Sequence, residues 1–207
     1  MISLFISTAT KRLLLSIIKD NKVLYIYNEY NDNTLSERIM PVLDDALSKT
    51  NIVLDDIDNI YVVNGPGSFT GIRVGITIAK TIAWALKKKI YTISSLELLS
   101  STNVDTKYIV PLIDARRGYV FTAMYDKDLN LVIDEQHTLL EEFKNVISSY
   151  DVTYISEDEF NFSVNPSSYD VLKLISKHSN DKDINPHAVN PNYLKLTEAE
   201  EKLNNDN

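Results

Sequence analysis

Cysteine is absent from the 207 residues. Without it there is no disulfide scaffold, no thiol nucleophile, no cysteine zinc site and no iron–sulfur cluster. Histidine is nearly absent. His137, His178 and His187 are spaced 41 and 9 apart, which fits no HExxH-type metal helix. No run approaches the roughly 18 apolar residues that span a bilayer. Met1 to Ser7 is apolar but short, and Lys11 and Arg12 follow it instead of preceding it, which is the wrong order for a signal peptide. The expectation is a soluble, cytoplasmic protein. Positive charge is also in deficit: the formal net charge is -8 and the pI about 4.9. Nucleic-acid binders draw affinity from a basic surplus, so any contact with RNA must be local or made through a partner.

What is present is the balance of an ordinary globular chain, with 44% hydrophobic and 24% charged residues. Its length allows one large domain or two small ones, able to bury a core without staples. Ile2 to Ile6, Arg12 to Ile18 and Val23 to Asn28 read as a three-stranded meander. After the loop Asn31-Asp32-Asn33, Thr34 and Glu37 form a capping box for a helix whose apolar positions are Leu35, Ile39, Val42 and Ala46. Pro41 either bends that helix or marks where its regular part begins. A strand at Asp58 to Val63, a helix at Thr70 to Lys88, a strand at Ile90 to Ile93 and a short helix ending near Ser101 complete the first half. Lys87, Lys88 and Lys89 suit a helix C-terminus. Ser100 to Thr106 reads as a polar linker.

The second half repeats the layout. Strands at Tyr108 to Ile113, Tyr119 to Tyr125 and Leu129 to Thr138 precede a helix at Leu139 to Tyr150, a strand at Val152 to Ile155 and a helix at Tyr169 to His178. Gly118 is placed for a left-handed turn in the first hairpin, and Glu198 to Asn207 reads as a frayed tail. The pattern predicts two similar α/β units, residues 1–103 and 104–207.

Glycine is scarce, and four of the five glycines fall in one window: Gly65, Gly67, Gly71 and Gly75. A phosphate cradle at the helix start is one reading, but Ile72 stands where a Walker loop needs lysine, and Gly71 comes one residue late for GxGxxG. Close packing is the other. Gly71, Gly75, Ala79 and Ala83 form one helix ridge, beside the apolar ridge Val74, Ile78, Ile82 and Leu86 and a third ridge of Arg73, Thr77 and Thr81, with Ile76, Lys80 and Trp84 alongside. A helix apolar on more than one face calls for a second neighbour. Ser68 and Thr70 lack a nearby histidine and read as helix caps. Asp114, Arg116 and Arg117 form the one compact acid–base group, read either as a nucleotide or ATPase contact or as a solvated hairpin tip. The pairs Asp44 and Asp45, Asp55 and Asp56, and Glu141 and Glu142 read as solvated faces.

The string Gly65-Pro-Gly-Ser-Phe-Thr-Gly-Ile-Arg-Val-Gly75 resembles the signature of the bacterial TsaB (YeaZ) family of tRNA threonylcarbamoyladenosine biosynthesis. Ile6-Ser-Thr-Ala-Thr10 is similar to that family's opening I-D-T-A-T. Leu35-Ser-Glu-Arg-Ile-Met-Pro41 is similar to its H-S-E-x-L-L-P helix, Ile113-Asp-Ala-Arg-Arg-Gly118 to its I-D-A-R-R-G hairpin, and Pro191-Asn-Tyr-Leu194 to its late P-x-Y-L-R. The resemblance implies a two-domain actin/sugar-kinase-like (ASKHA) α/β fold and a non-catalytic scaffold. Its implied partners are a larger TsaD paralogue, which carries the metal site and modifies adenosine beside the anticodon, and a TsaE ATPase. It implies no metal and no cofactor for this chain, contact with tRNA only through the complex, and a homodimer for the isolated chain. The pairing resembles a four-helix contact, which here maps onto Leu35 to Lys49 and Phe69 to Leu86. The partner-binding residues it suggests are Leu35, Ile39, Val42, Phe69, Ile72, Arg73, Gly75, Ile76, Ala79 and Lys80, with Arg116 and Arg117 as a nucleotide or TsaE contact. Ser7 stands where the family has aspartate, and Leu35 where it often has histidine. Both exchanges remove groups that metal or acid–base chemistry would use. An ATP-dependent phosphotransferase of the same fold is the alternative. A protease is a third reading, disfavoured by the missing metal histidines and nucleophile geometry.

Overall fold

The computed structural model describes residues 1–30 and 35–194. Three strands open the chain: β1 (Ile2–Ser7), β2 (Arg12–Lys19) and β3 (Lys22–Tyr30). They pair antiparallel in sequence order. The expected capping box lies outside the described residues at Thr34. Helix α1 (Leu35–Thr50) then runs without a break through Pro41, so that residue's missing N–H interrupts one backbone bond and not the element. Next come β4 (Asn59–Val63), α2 (Phe69–Ala85) and β5 (Lys89–Ile93). Both later strands run parallel to β1, giving a five-stranded sheet in the order β3-β2-β1-β4-β5. Such parallel neighbours need a crossover, and α1 and α2 provide it. Helix α1 rests on β2 and β3, α2 on β4, β1 and β5, and the two helices touch.

Helix α3 (Ser95–Ser100) leads into the second sheet. It consists of β6 (Tyr108–Asp114), β7 (Tyr119–Asp126), β8 (Leu131–Leu139) and, after α4 (Leu140–Val146), β9 (Val152–Ile155). Its order is β8-β7-β6-β9, an antiparallel meander with a parallel fourth strand. The second sheet thus repeats the order and directions of β3-β2-β1-β4 and lacks a counterpart to β5. Gly118 has a φ of +80°, and Arg116 and Arg117 before it are also left-handed.

Two local expectations are corrected. Ser100, Ser101 and Thr102 are buried, not part of an exposed linker. The Ser100 and Ser101 hydroxyls and the Ser101 and Thr102 N–H groups donate to the last carbonyls of α3, and Asp170 N donates to Ser101 O. Helix α4 also ends at Val146, short of Tyr150.

After β9 the chain returns to the first sheet's core. Helix α5 (Val171–Lys177) buries Val171, Leu174 and Ile175 in that core together with Val189. The charged counterpart of this docking is Glu97, a buried carboxylate on α3. It accepts from Lys177 Nζ at 2.7 Å and meets His178 Nε2 at 2.9 Å, while His178 Nδ1 meets Asp181 at 2.6 Å. Burial acts to raise the Glu97 carboxyl, but the hydrogen bonds from His178 and Lys177 outweigh it and hold it below its ordinary value. The bond to Glu97 is the main cause that raises His178, against the opposing pull of its burial.

A raised histidine contributes stability that is complete below its ordinary value of 6.5 and is lost as pH climbs through the raised one. The depressed Glu97 contributes above 4.5 and loses its share as pH falls through the lowered value. Thermal stability is therefore expected to be greatest between those two values and to decline above pH 6.5. Scanning calorimetry of the wild type and His178→Gln across pH 5 to 9 checks this. The variant's alkaline decline should be shallower, and parallel curves would contradict the assignment.

Candidate partner-binding face and inter-sheet cleft

Helix α2 is built onto the β1–β2 turn. Ser68 is its N-cap, accepting from Gly71 N at 3.2 Å, as the capping reading of that serine requires. Ser68 N donates to Ala9 O at 2.8 Å, and Thr8 Oγ1 donates to Gly71 O at 2.6 Å. This approach leaves no room for side chains. A Cβ on Gly71 would lie 2.0 Å from Thr8 O, and one on Gly75 would lie 2.3 Å from Thr8 Oγ1. The small-residue ridge is therefore the seat of α2 on β1 and its turn. The ridge thus faces this chain's own first sheet.

The sequence-derived residues divide by burial. Leu35, Ile39, Val42, Ile72, Gly75, Ile76 and Ala79 are all buried within this chain, Ile39 at 0% and Ile76 at 4% exposure. Conversely, Val74 and Ile78, expected in the core stripe, are only half-buried. What α2 turns outward is Phe69, Arg73, Thr77, Lys80, Thr81 and Trp84, with Phe69 56% and Trp84 64% exposed. Trp84, the lone tryptophan, is missing from the sequence-derived set, though its spacing of four from Lys80 placed it on the same stripe.

A second element flanks this stripe. Residues 186–193 run antiparallel to α2 from Trp84 to Phe69. The His187 ring lies edge-on to Trp84, Lys80 Nζ donates to Val189 O at 2.9 Å and His187 O at 3.3 Å, and Arg73 Nε donates to the Tyr193 hydroxyl at 3.0 Å. Arg73 also lies 3.7 Å over the Phe69 ring, which stacks on Tyr193. Arg73 and Lys80 are thus held in place by the strap and still partly open. Tyr193 belongs to the Pro191-Asn-Tyr-Leu194 segment, which is the sequence signal for this strap.

The inter-sheet cleft, of about 600 Å³, is lined by Thr10, Lys11, Gly67, Ser68, Phe121, Asp114, Arg116, Glu157 and Asp158 among others. Arg116 reaches it and its N–H donates to Asp114 at 2.8 Å, whereas Arg117 sits exposed on the hairpin tip. Ser7 is fully buried at the end of β1, and its hydroxyl has no hydrogen-bond partner among the described residues. The three histidines lie apart: His137 beside Tyr119 and Phe121, His178 on Glu97, and His187 on Trp84. Among the described residues no three His, Asp or Glu side chains form a group that could hold a metal ion. No helix among them is long and apolar enough to cross a membrane.

Two mixed sheets of one repeated plan, facing each other across a cleft with a glycine-turn helix at its rim, define an actin/sugar-kinase-like α/β protein. The family model for TsaD, tRNA N6-adenosine threonylcarbamoyltransferase, matches residues 29–163. The tRNA threonylcarbamoyladenosine biosynthesis protein TsaB of Bacillus subtilis is 30% identical over 225 aligned residues, covering 96% of each chain. Its Escherichia coli counterpart is 33% identical over 131 residues, covering 61% of this chain and 56% of that one. In fold, the chain is similar to YeaZ from Pseudomonas aeruginosa, with a TM-score of 0.79, 20% identity and coverage of 93% and 99%. The chain belongs to this threonylcarbamoyladenosine family, and within it to the TsaB (YeaZ) proteins.

Proposed function

We propose that the chain is a non-catalytic subunit in the biosynthesis of threonylcarbamoyladenosine in tRNA. It pairs with the TsaD-type transferase of its own cell and lets a TsaE-type ATPase join that pair in the cytoplasm. Alone, it pairs with itself through the same face. Two units, residues 1–103 and 104–207, serve this role, and the second lends α5 and the strap to the first. The observation that carries the reading is the outward stripe of α2. Two large aromatic residues, Phe69 and Trp84, stand more than half exposed at its ends, with Arg73 and Lys80 braced between them. Tryptophan, tyrosine and arginine are the residues that dominate binding energy at protein interfaces.

The alternative of an ATP-dependent phosphotransferase fits the cleft less well. Lys11 and Arg116 face three carboxylates there, those of Asp114, Glu157 and Asp158, so the site offers a triphosphate no net positive field. Ser7 supplies no charge for a metal. Arg116, which lines the cleft, and Arg117 beside it would serve as a contact for a nucleotide or for the ATPase. Contact with tRNA runs through the complex, in keeping with the net charge of -8. Co-purification tests the pairing: the tagged chain should retain the TsaD paralogue from its own cell through gel filtration. Elution of the two proteins in separate peaks would overturn the proposal.

A further inference from the structure

The loop after β9 carries Glu157, a carboxylate 6% exposed that crosses to the first sheet. Its Oε2 accepts from Lys11 N at 2.6 Å. Its Oε1 accepts from Thr10 Oγ1 at 3.2 Å and from the Tyr169 hydroxyl. Arg12 Nε stands 3.9 Å from the same oxygen, beyond hydrogen-bond reach, and has no hydrogen-bond partner elsewhere among the described residues. Thr10 and Lys11 belong to the β1–β2 turn, on which α2 is also seated, and Arg12 opens β2. A backbone N–H, two hydroxyls and a guanidinium, converging on one point, form a site for an anion. The loop that delivers the carboxylate is itself fixed. Ser156 Oγ donates to Leu112 O at 2.7 Å. Asp158 accepts from Asp114 N at 2.7 Å and pairs with Lys11 Nζ at 3.0 Å.

We propose that Glu157 is a tethered anion that fills a carboxylate-binding cradle on the β1–β2 turn and so locks the two sheets together across the cleft. A ligand on a short tether has an effective concentration of millimolar or more, so the chain's own carboxylate excludes small anions from solution. Removing it leaves Arg12, whose side chain is 13% exposed and stacked over the Tyr30 ring, without its counter-charge. The empty cradle then takes a free carboxylate of the same chemistry, and its position on the cleft wall gives that ion a way in. The lock holds the β1–β2 turn, and with it α2, in one position relative to the second sheet.

Chemical rescue tests this. Glu157→Ala should melt well below the wild type. Sodium acetate should raise its melting temperature saturably, by about 3 to 6 °C at ten times the dissociation constant. Sodium chloride at equal ionic strength should not, and the wild type should gain nothing from acetate beyond the salt effect. Equal acetate shifts in both proteins, or a Glu157→Ala variant as stable as the wild type, would overturn the proposal. If Glu157→Ala does not fold alone, folding in acetate but not in chloride supports it. If it folds in neither, Glu157→Gln decides. That amide fills the same space without charge, so the variant should be less stable than the wild type and indifferent to acetate. Wild-type stability of Glu157→Gln would reject the tethered anion.

Discussion

Phe69→Asp, Thr77→Glu and Trp84→Lys should each leave the chain folded and weaken its pairing with the TsaD paralogue roughly thirtyfold or more. The three positions are exposed on α2, so none has to desolvate a new charge in the free protein. The signs are chosen for the helix. A carboxylate at the first position and a cation near the last both suit the dipole. Association then buries the new charge without a partner. Loss of an aromatic anchor alone removes about 2 kcal/mol or more, and every 1.4 kcal/mol is a factor of about ten. Titration calorimetry reads the affinity, and circular dichroism confirms the fold. Unchanged affinity in all three variants would remove α2 from the interface. Ile39→Asp and Ile76→Asp are not equivalent probes. Those side chains lie in the chain's own core, and a carboxylate there would be expected to unfold the protein before it met any partner.

Gly71→Ala should lower the melting temperature by about 2 to 12 °C. In an ordinary helix the exchange would help, because alanine is favoured over glycine by about 1 kcal/mol. Here the added methyl would stand 2.0 Å from Thr8 O, a backbone atom that cannot turn aside. Either α2 lifts from β1 or the β1–β2 turn moves, and both disturb Ser68 N→Ala9 O and Thr8 Oγ1→Gly71 O. Overpacking on this scale costs about 1–3 kcal/mol, and for a chain of this length each kcal/mol corresponds to about 2–4 °C. Thr81→Ala, exposed on the same helix, is the control and should shift the melting temperature little. A rise in Gly71→Ala stability would mean that the ridge is not seated as described.

The contrast between these two predictions shows where sequence reading reached and where it stopped. The opening meander and the repeated layout were legible because β1 and β2 are short, continuous apolar runs separated by tight turns, and the same succession recurs from Tyr108. The glycine cluster announced a close approach, but not what approached. Glycine and alanine carry almost no hydrophobic signal, so the ridge of Gly71 to Ala83 reads equally as a seat or as a contact surface. Only the position of Thr8 decides between them. For the same reason Ile76 read as surface and Val74 as core, whereas Ile76 is buried and Val74 only half-buried. Of the strap, Pro191 to Leu194 was visible as a motif, while the bonds of Lys80 to His187 and Val189 span more than a hundred residues and leave no local pattern. Glu157 gave no signal at all, because its significance lies in Lys11 N, 146 residues away.

The most direct test of the central claim is the threonylcarbamoyladenosine content of tRNA, measured by mass spectrometry of nucleosides, in cells whose own copy of this chain is replaced by variants. A supporting subunit should tolerate changes to its chemistry-bearing groups and fail when its outward helix is altered. Ser7→Ala and Asp114→Asn should restore the modified nucleoside to wild-type levels, and Trp84→Lys, folded and expressed equally, should leave it nearly absent. Loss of the nucleoside in Ser7→Ala or Asp114→Asn cells, with full levels in Trp84→Lys cells, would show that the chain acts through its cleft and not as a partner.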